Sequence, residues 1–412
     1  MTQPSRIHLF HGYGIELEYM LVDKDTLAVK PITDELLKHE LGEYGSDFEN
    51  GMVTWSNELV LHVVELKSTH PESNFSALES AFADNILRMN TILETRNTML
   101  MPTAAHPFMD PLTETKLWPH DSNDVYEVYN KIFDCRGHGW SNLQSSHLNL
   151  PFYDDEEFAK LHAAVRLVLP LLPALCASSP IFEGKITGLL DTRLSYYRTN
   201  QSKIPSITGK VIPEAIFSKR NYLNIIYEKI KADIAPYDPG NVLNPIWVNS
   251  RGAIPRFDRG SIEIRLMDIQ ECPSADMAII ELVIETIKAL VQEKFIGIQG
   301  QMRIHTEVLA NILDETTRDG QSVTVSAAEF LDVFGLKQFS TAKQIWEHIL
   351  SRLVQGNHAL EKWKPELSII LTEGTLSNRI LKSLGGDHSH EAIKTVYKKL
   401  AACLAQNRMF VP

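Results

Sequence analysis

GIELEYMLVD, residues 14–23, alternates Glu16 and Glu18 with Ile15, Leu17 and Tyr19. Successive side chains on a strand point to opposite faces. The stretch therefore predicts a strand with one apolar face and two carboxylates side by side on the other. Three further stretches repeat the pattern. Glu65 and Lys67 flank Leu66, His147 and Asn149 flank Leu148, and Glu263 and Arg265 flank Ile264. A half-exposed edge strand explains any one pair. Four such strands, three with Glu and one with His, favour a shared sheet whose polar groups converge on one face. Carboxylates held together repel unless cations neutralise them. Oxygen donors with an occasional imidazole suit Mg²⁺ or Mn²⁺.

The remaining composition sets the class. The chain has 412 residues, 44% of them hydrophobic, so a sizeable core is expected. A formal net charge of −12 disfavours nucleic acid as a partner, although a local basic pocket for a nucleotide remains compatible. Cys135, Cys176, Cys272 and Cys403 are widely spaced without a CxxC pair, which argues against a zinc ribbon or disulfide framework and fits a reduced compartment. The opening MTQPSRIHLFHGYG has no long apolar run of the signal-peptide type. The most apolar segment, residues 161–180, is interrupted by Arg166, Pro170 and Pro173 and reads as a buried, kinked helix. The expectation is a soluble cytoplasmic protein with no membrane partner.

Strands are expected over 14–22, 59–68 and 143–151, and two more within 245–270, joined by an Arg-rich loop. Ser73 or Asn74 can cap an amphipathic helix reaching about residue 99, and further helices are expected over 156–178, 219–233 and 275–295. Residues 101–124 read as loop. The polar stretch 199–214, with Pro and Gly, reads as a mobile flap. Beyond residue 300 strands largely vanish and helices over 340–355 and 390–406 alternate with polar loops. The expected division is a domain over 1–298 and a helical C-terminal extension over 299–412 packed on it.

A carboxylate-lined sheet with bound cations and added arginines suits nucleotide chemistry, because metals bridge phosphate oxygens and arginines stabilise the transferring phosphoryl group. The chain has no GxxxxGK[ST] loop, and HGYG near residue 11 is too short a signal to replace one. Phosphates would then be held by metals and arginines on a sheet.

Taken in order, GIELEYMLVD, ELVLHVVELKSTHP, SSHLNLP, SSPIFEGKITGLLDTR and SIEIRLMD resemble the glutamate–cysteine ligase family 2 proteins, carboxylate–amine ligases of the glutamine synthetase superfamily. The resemblance covers roughly residues 12–290. It implies an α+β fold, a curved antiparallel sheet with helices on its convex side and the active site on its concave face. It also implies metal-ligand roles for Glu16, Glu18, Glu65, His147 and Glu263, with Glu58 as a less secure companion. Asn149 stands where many members have the second histidine of HxH. Arg265 resembles the arginine facing the transferred phosphoryl group. Arg193 matches an arginine that follows the family's TG, here Thr187 and Gly188, although Ile186 stands where many members have Asp. Arg251 and Arg256 resemble a phosphate-binding arginine segment. Lys67 either neutralises Glu65 or meets a substrate carboxylate.

The implied activity is ATP-dependent amide formation through an acyl phosphate, with glutamate as the carboxylate and cysteine as one candidate amine. ATP and Mg²⁺ or Mn²⁺ are the implied cofactors, small carboxylates and amines the partners, and a homo-oligomer is left open. Two other readings share the fold: a phosphoryl-transfer enzyme such as a guanidino-type kinase, and a non-catalytic nucleotide- or amino-acid-binding protein. His62, His138, His388 and His390 read as structural or surface residues, and Trp346, Ile349 and Leu353 as core.

Overall fold

In a computed structural model of the chain, which describes residues 6–121 and 123–412, the alternating segments join one eight-stranded antiparallel sheet. Its strands are β1 (Gly14–Asp23), β2 (Asp47–Asn50), β3 (Val53–Asn57), β4 (Val63–Ser68), β5 (Thr98–Met101), β6 (Ser145–Pro151), β7 (Ala253–Arg256) and β8 (Ser261–Asp268). The spatial order is β2-β3-β4-β1-β6-β8-β7, and β5 pairs with the far end of β1. The sheet is curved, and the architecture is α+β.

The period-two pattern explains the two faces. Ile15, Leu17, Tyr19, Val64, Leu66, Leu148, Leu150, Ile262 and Ile264 are buried on one side. Three helices cover that side with their own apolar stripes. Phe75–Glu94, capped by the Asn74 side chain, contributes Leu78, Phe82, Ile86 and Met89. Asp155–Val168, capped by Asp154, contributes Phe158, Leu161 and Val165. Pro273–Val291, with proline at its first position where no amide partner is needed, contributes Met277, Ile280, Ile284 and Ile287.

On the opposite face the polar run of β1 ends at Met20 and Val22. These pack with Val63 and Met101 beneath the helices Leu376–Leu384 and His390–Ala405. The C-terminal helices therefore close one end of the polar face. The apolar stretch 161–180 is buried and kinked, with helical turns at Asp155–Val168, Leu169–Leu171 and Pro173–Cys176. No helix among the described residues is long and apolar enough to cross a membrane. The four cysteines are free and buried.

Three expectations change. Residues 59–62 lead into β4 as a turn, with Val60 bridging to Leu117. The stretch 101–124, read as loop, contains the short helix Pro111–Glu114 and runs into the start of helix Asn123–Phe133. Residues 199–214 are not an exposed flap. Ile204, Ile207, Val211 and Ile212 are buried, and the Arg251 guanidinium pairs with Glu214 at 2.6 Å while donating to the Ser206 carbonyl at 3.2 Å. Apolar residues hidden among polar ones tie the segment into the core.

Candidate functional site

Strand register builds the site. Glu16 lies opposite Lys67 on one side and His147 on the other, Glu18 lies opposite Glu65, and Glu263 lies opposite Asn149. Directly paired residues share a face, so all of these side chains project to the same side. His147 Nδ1 lies 2.8 Å from Glu16 Oε2, and the Asn149 amide donates to Glu16 Oε1 at 3.0 Å. Glu18 accepts from the Ser145 amide at 2.6 Å and from its hydroxyl at 3.0 Å. Glu263 sits between two arginines, 3.1 Å from Arg256 Nη1 and 2.8 Å from Arg265 Nε. Lys67 reaches Asp47 at 2.9 Å and Glu65 at 3.6 Å, so one cation serves two carboxylates.

The electrostatics follow from crowding. Two carboxylates about 4 Å apart repel by roughly 4 kcal/mol at the effective dielectric of a protein surface. Burial pushes the Glu16 carboxyl up, but the hydrogen bond and charge of His147, together with Arg265, outweigh it and hold the group at about 2. Burial disfavours protonated His147, yet Glu16 and Glu18 raise its pKa above the ordinary imidazole range. Burial and the neighbouring Glu16 and Glu58 raise Glu65 well above its usual range. Burial and Glu18 bring Glu58 up to about 7. The cluster thus holds more carboxylates than His147, Lys67, Arg256 and Arg265 balance, and the upward shifts of Glu58 and Glu65 follow from that excess.

Two groups of donor atoms lie close enough to hold a divalent ion, Glu16–His147–Glu263 and Glu18–Glu65–His147, each with its ligand atoms within 4.8 Å of one another. Oxygen donors with one imidazole are the chemistry of Mg²⁺ or Mn²⁺, and a cation here would displace the protons that crowding imposes. The donor set fits such an ion.

A cleft of about 660 Å³ opens over this face. Glu16, Glu65, Lys67, Asn149, Arg256, Glu263 and Arg265 line it, as do His70 and Arg259. Glu18 and His147 are buried beneath it, and Glu58 is half-buried beside Glu18. Arg193 and Arg251 do not line it. Arg251 is 3% exposed and holds the 199–214 segment through Glu214 and the Ser206 carbonyl. Arg193 is 2% exposed, with its guanidinium on the backbone carbonyls of Arg265 and Leu266. It sits behind the face and does not touch the cleft.

Three tyrosines escaped the strand pattern. Tyr126 Oη lies 3.4 Å from Asn57 Nδ2, and burial followed by Glu58 raises its pKa. Tyr129 and Tyr197 are both close enough to Arg265 to feel its charge. Tyr126 and Tyr129 belong to helix Asn123–Phe133, whose spacing of aromatic residues was the available signal. His62 and His138 are buried, and the His390 ring stacks on Phe108 at 4.1 Å.

The signature of the glutamate–cysteine ligase family 2 matches residues 13–399. A protein of unassigned function from Archaeoglobus fulgidus is 31% identical over 402 residues, 97% of this chain and 100% of its own length. A Rhodospirillum rubrum protein provisionally named glutamate–cysteine ligase 2 is 27% identical over 272 residues, 65% of this chain and 62% of its own length. Among solved structures, glutamate–cysteine ligase from Francisella tularensis in complex with AMP superposes with a TM-score of 0.63 at 13% identity, covering 97% of this chain and 89% of that one. A bifunctional glutathione synthetase from Pasteurella multocida gives 0.62 at 11% identity, covering 96% and 52%. These two share the fold.

Proposed function

Because the chain belongs to the glutamate–cysteine ligase family 2, we propose that it is an ATP-dependent carboxylate–amine ligase. In this reading glutamate is the carboxylate substrate and cysteine the first amine to test. The observation that carries the reading is the Glu263 carboxylate, clamped by Arg256 and Arg265 beside Glu16 and His147 on the floor of the cleft. A site for carboxylate activation needs donors for divalent cations next to cations for phosphate oxygens, and this floor supplies both.

Glu16, Glu18, Glu65, His147 and Glu263 would hold Mg²⁺ or Mn²⁺, with Glu58 behind them. The chemistry such ions supply is neutralisation of the repulsion between an attacking carboxylate and a polyphosphate. Arg265 and Arg256 orient and stabilise the transferring phosphoryl group. A substrate carboxylate oxygen bonds to the γ-phosphorus as the bond to ADP breaks. The nitrogen of the neutral amine then bonds to the acyl carbon, phosphate departs with the C–O bond electrons, and the nitrogen gives up one proton, to water or the departing phosphate, keeping the other as the amide N–H. Asn149 keeps the Glu16 carboxylate in its ligating orientation. Lys67, partly exposed at the cleft, is placed to meet a substrate carboxylate as well as Glu65. The Francisella tularensis ligase that shares the fold was solved in complex with AMP, which supports a nucleotide as a ligand here.

The test is incubation of purified protein with ATP, Mg²⁺ and a panel of amino acids and amines, with ADP and phosphate release measured and products identified by mass. Amide product with one phosphate released per amide is expected. A phosphorylated acceptor without free phosphate would instead make the protein a kinase, and ATP binding without turnover on any pair would make it a binding protein.

A further inference from the structure

The geometry points to Arg193 as a positioning residue that sets Arg265 by gripping a bulge in β8. The pairing of β8 with β6 shifts register between Ile264 and Met267, so Arg265 and Leu266 stand outside the regular ladder. Bulges of this kind re-aim a side chain and need other partners for their freed backbone groups. The Arg265 amide donates to the Gly252 carbonyl at 3.0 Å. Its carbonyl accepts from Arg193 Nη2 at 2.7 Å, and the Leu266 carbonyl accepts from Arg193 Nη1 at 3.3 Å. Both backbone polar groups of Arg265 are thus fixed from outside β6, one of them by a buried guanidinium.

The guanidinium is itself fixed. Asp268 Oδ1 lies 3.4 Å from Arg193 Nη1, and Asp268 Oδ2 accepts from the Ser178 amide at 2.8 Å and the Ser179 hydroxyl at 2.9 Å. The chain leading into Arg193 is anchored to the C-terminal region. The amides of Leu190 and Asp191 donate to the carbonyls of Arg318 and Thr317 at 3.1 and 3.0 Å, and the Ser377 hydroxyl donates to the Leu190 carbonyl. Gly252 packs so closely on Leu266 that a Cβ there would come within 2.5 Å of the Leu266 side chain. The bulge is therefore held on both sides. The grip is spread over two nitrogens of a planar fork, Nη2 on the Arg265 carbonyl and Nη1 on the Leu266 carbonyl and Asp268, a spacing that the single nitrogen of an ammonium does not reproduce.

This inference rests on the ligase reading for what Arg265 does, but not for where Arg265 sits. The test pairs kinetics with structure in the full chain. Arg193→Met is expected to lower kcat about 100-fold, the scale of a 1 Å misplacement of a catalytic group, with KM for ATP unchanged. Arg193→Met combined with Arg265→Met should be no slower than Arg265→Met alone, because the first residue acts through the second. Multiplied losses in the double variant would overturn the proposal. Arg193→Lys keeps the charge beside Asp268 without the two-carbonyl grip. It should fold as the parent does and still lose turnover; parental kcat in this variant overturns the proposal. A crystal structure of either variant should show the bulge relaxed and the Arg265 guanidinium displaced from Glu263. An unmoved Arg265 overturns positioning even if the parent makes no amide, an outcome that would sink the ligase reading separately.

Discussion

His147 Nδ1 lies 2.8 Å from Glu16 Oε2, between strands paired so that the two residues are direct neighbours. The same imidazole has Nε2 3.7 Å from Glu18 Oε1 and belongs to both groups of candidate metal donors. One residue thus joins the two halves of the acidic floor. His147→Ala should therefore weaken binding at both positions together. Titration with Mn²⁺, followed by electron paramagnetic resonance or calorimetry, should show at least a tenfold loss of affinity, the range seen when a ligand's support is removed. Undiminished Mn²⁺ binding would remove the metal assignment.

Glu263 has a double role, as a metal donor and as the counter-charge that aligns two arginines. Glu263→Ala should abolish turnover through loss of metal, and it should also leave Arg256 and Arg265 without their shared partner. Glu263→Gln keeps an acceptor oxygen for one arginine but loses the charge. It should fold normally and retain less than about 1% of activity, consistent with removal of a preorganised electrostatic group. Near-parental rates in Glu263→Ala would sink the site assignment.

The four strands that carry the site were legible because a buried face opposite a polar face leaves a strict two-residue period, as at Glu16, Glu65, His147 and Glu263. The short strands Asp47–Asn50, Val53–Asn57 and Thr98–Met101 were not, since four or five residues show little of that period, and the equally short Ala253–Arg256 was expected only from its place beside the SIEIR strand. Arg193 could be found as a residue of interest but not understood. Its partners are carbonyls freed by a register shift, and a register shift is a property of two strands together. The packing of Arg251 was hidden for a related reason, because its partner Glu214 lies in a segment whose polarity concealed its burial.

Two buried histidines outside the site each contribute stability that is lost on mild acidification. His106 Nδ1 accepts from the Phe108 amide at 3.0 Å, so Nε2 carries the proton that it donates to the Leu27 carbonyl at 2.6 Å. Protonating Nδ1 would set two N–H groups against each other. Burial lowers His106 to about 4, and burial likewise lowers His62 to about 4, where Nε2 faces the Ser141 carbonyl at 2.7 Å. In the unfolded chain both would titrate near 6.5. The unfolded state therefore takes up protons first as pH falls, and the stabilisation present above about 6.5 is lost progressively toward about 4. Glu58, Glu65 and His147, whose pKa values are raised, act in the opposite sense across the same window, so the readout is the parent's urea midpoint relative to that of His106→Gln, a difference that should shift against the parent as pH falls. A parent-to-variant difference independent of pH there would contradict a neutral, buried His106.

The pair Arg379–Glu271, both fully buried, is exposed to single-residue damage. Glu271 follows β8, and Arg379 belongs to the helix Leu376–Leu384. The Arg379 guanidinium donates to the Phe410 carbonyl at 2.6 Å, while the Phe410 amide donates to Glu271 at 3.1 Å. The pair thereby joins the sheet, a C-terminal helix and the Phe410 backbone in one closed network. Removing one partner strands a charge away from water, which costs on the order of 3–5 kcal/mol, whereas replacing both with apolar residues of similar volume is often close to neutral. Arg379→Met should accordingly lower the unfolding temperature sharply, and adding Glu271→Met should recover much of the loss. The comparison is made by thermal unfolding of the two single variants and the double variant. A double variant no more stable than either single one would show that the network holds these segments through directional hydrogen bonds to the backbone, and not through charge balance alone.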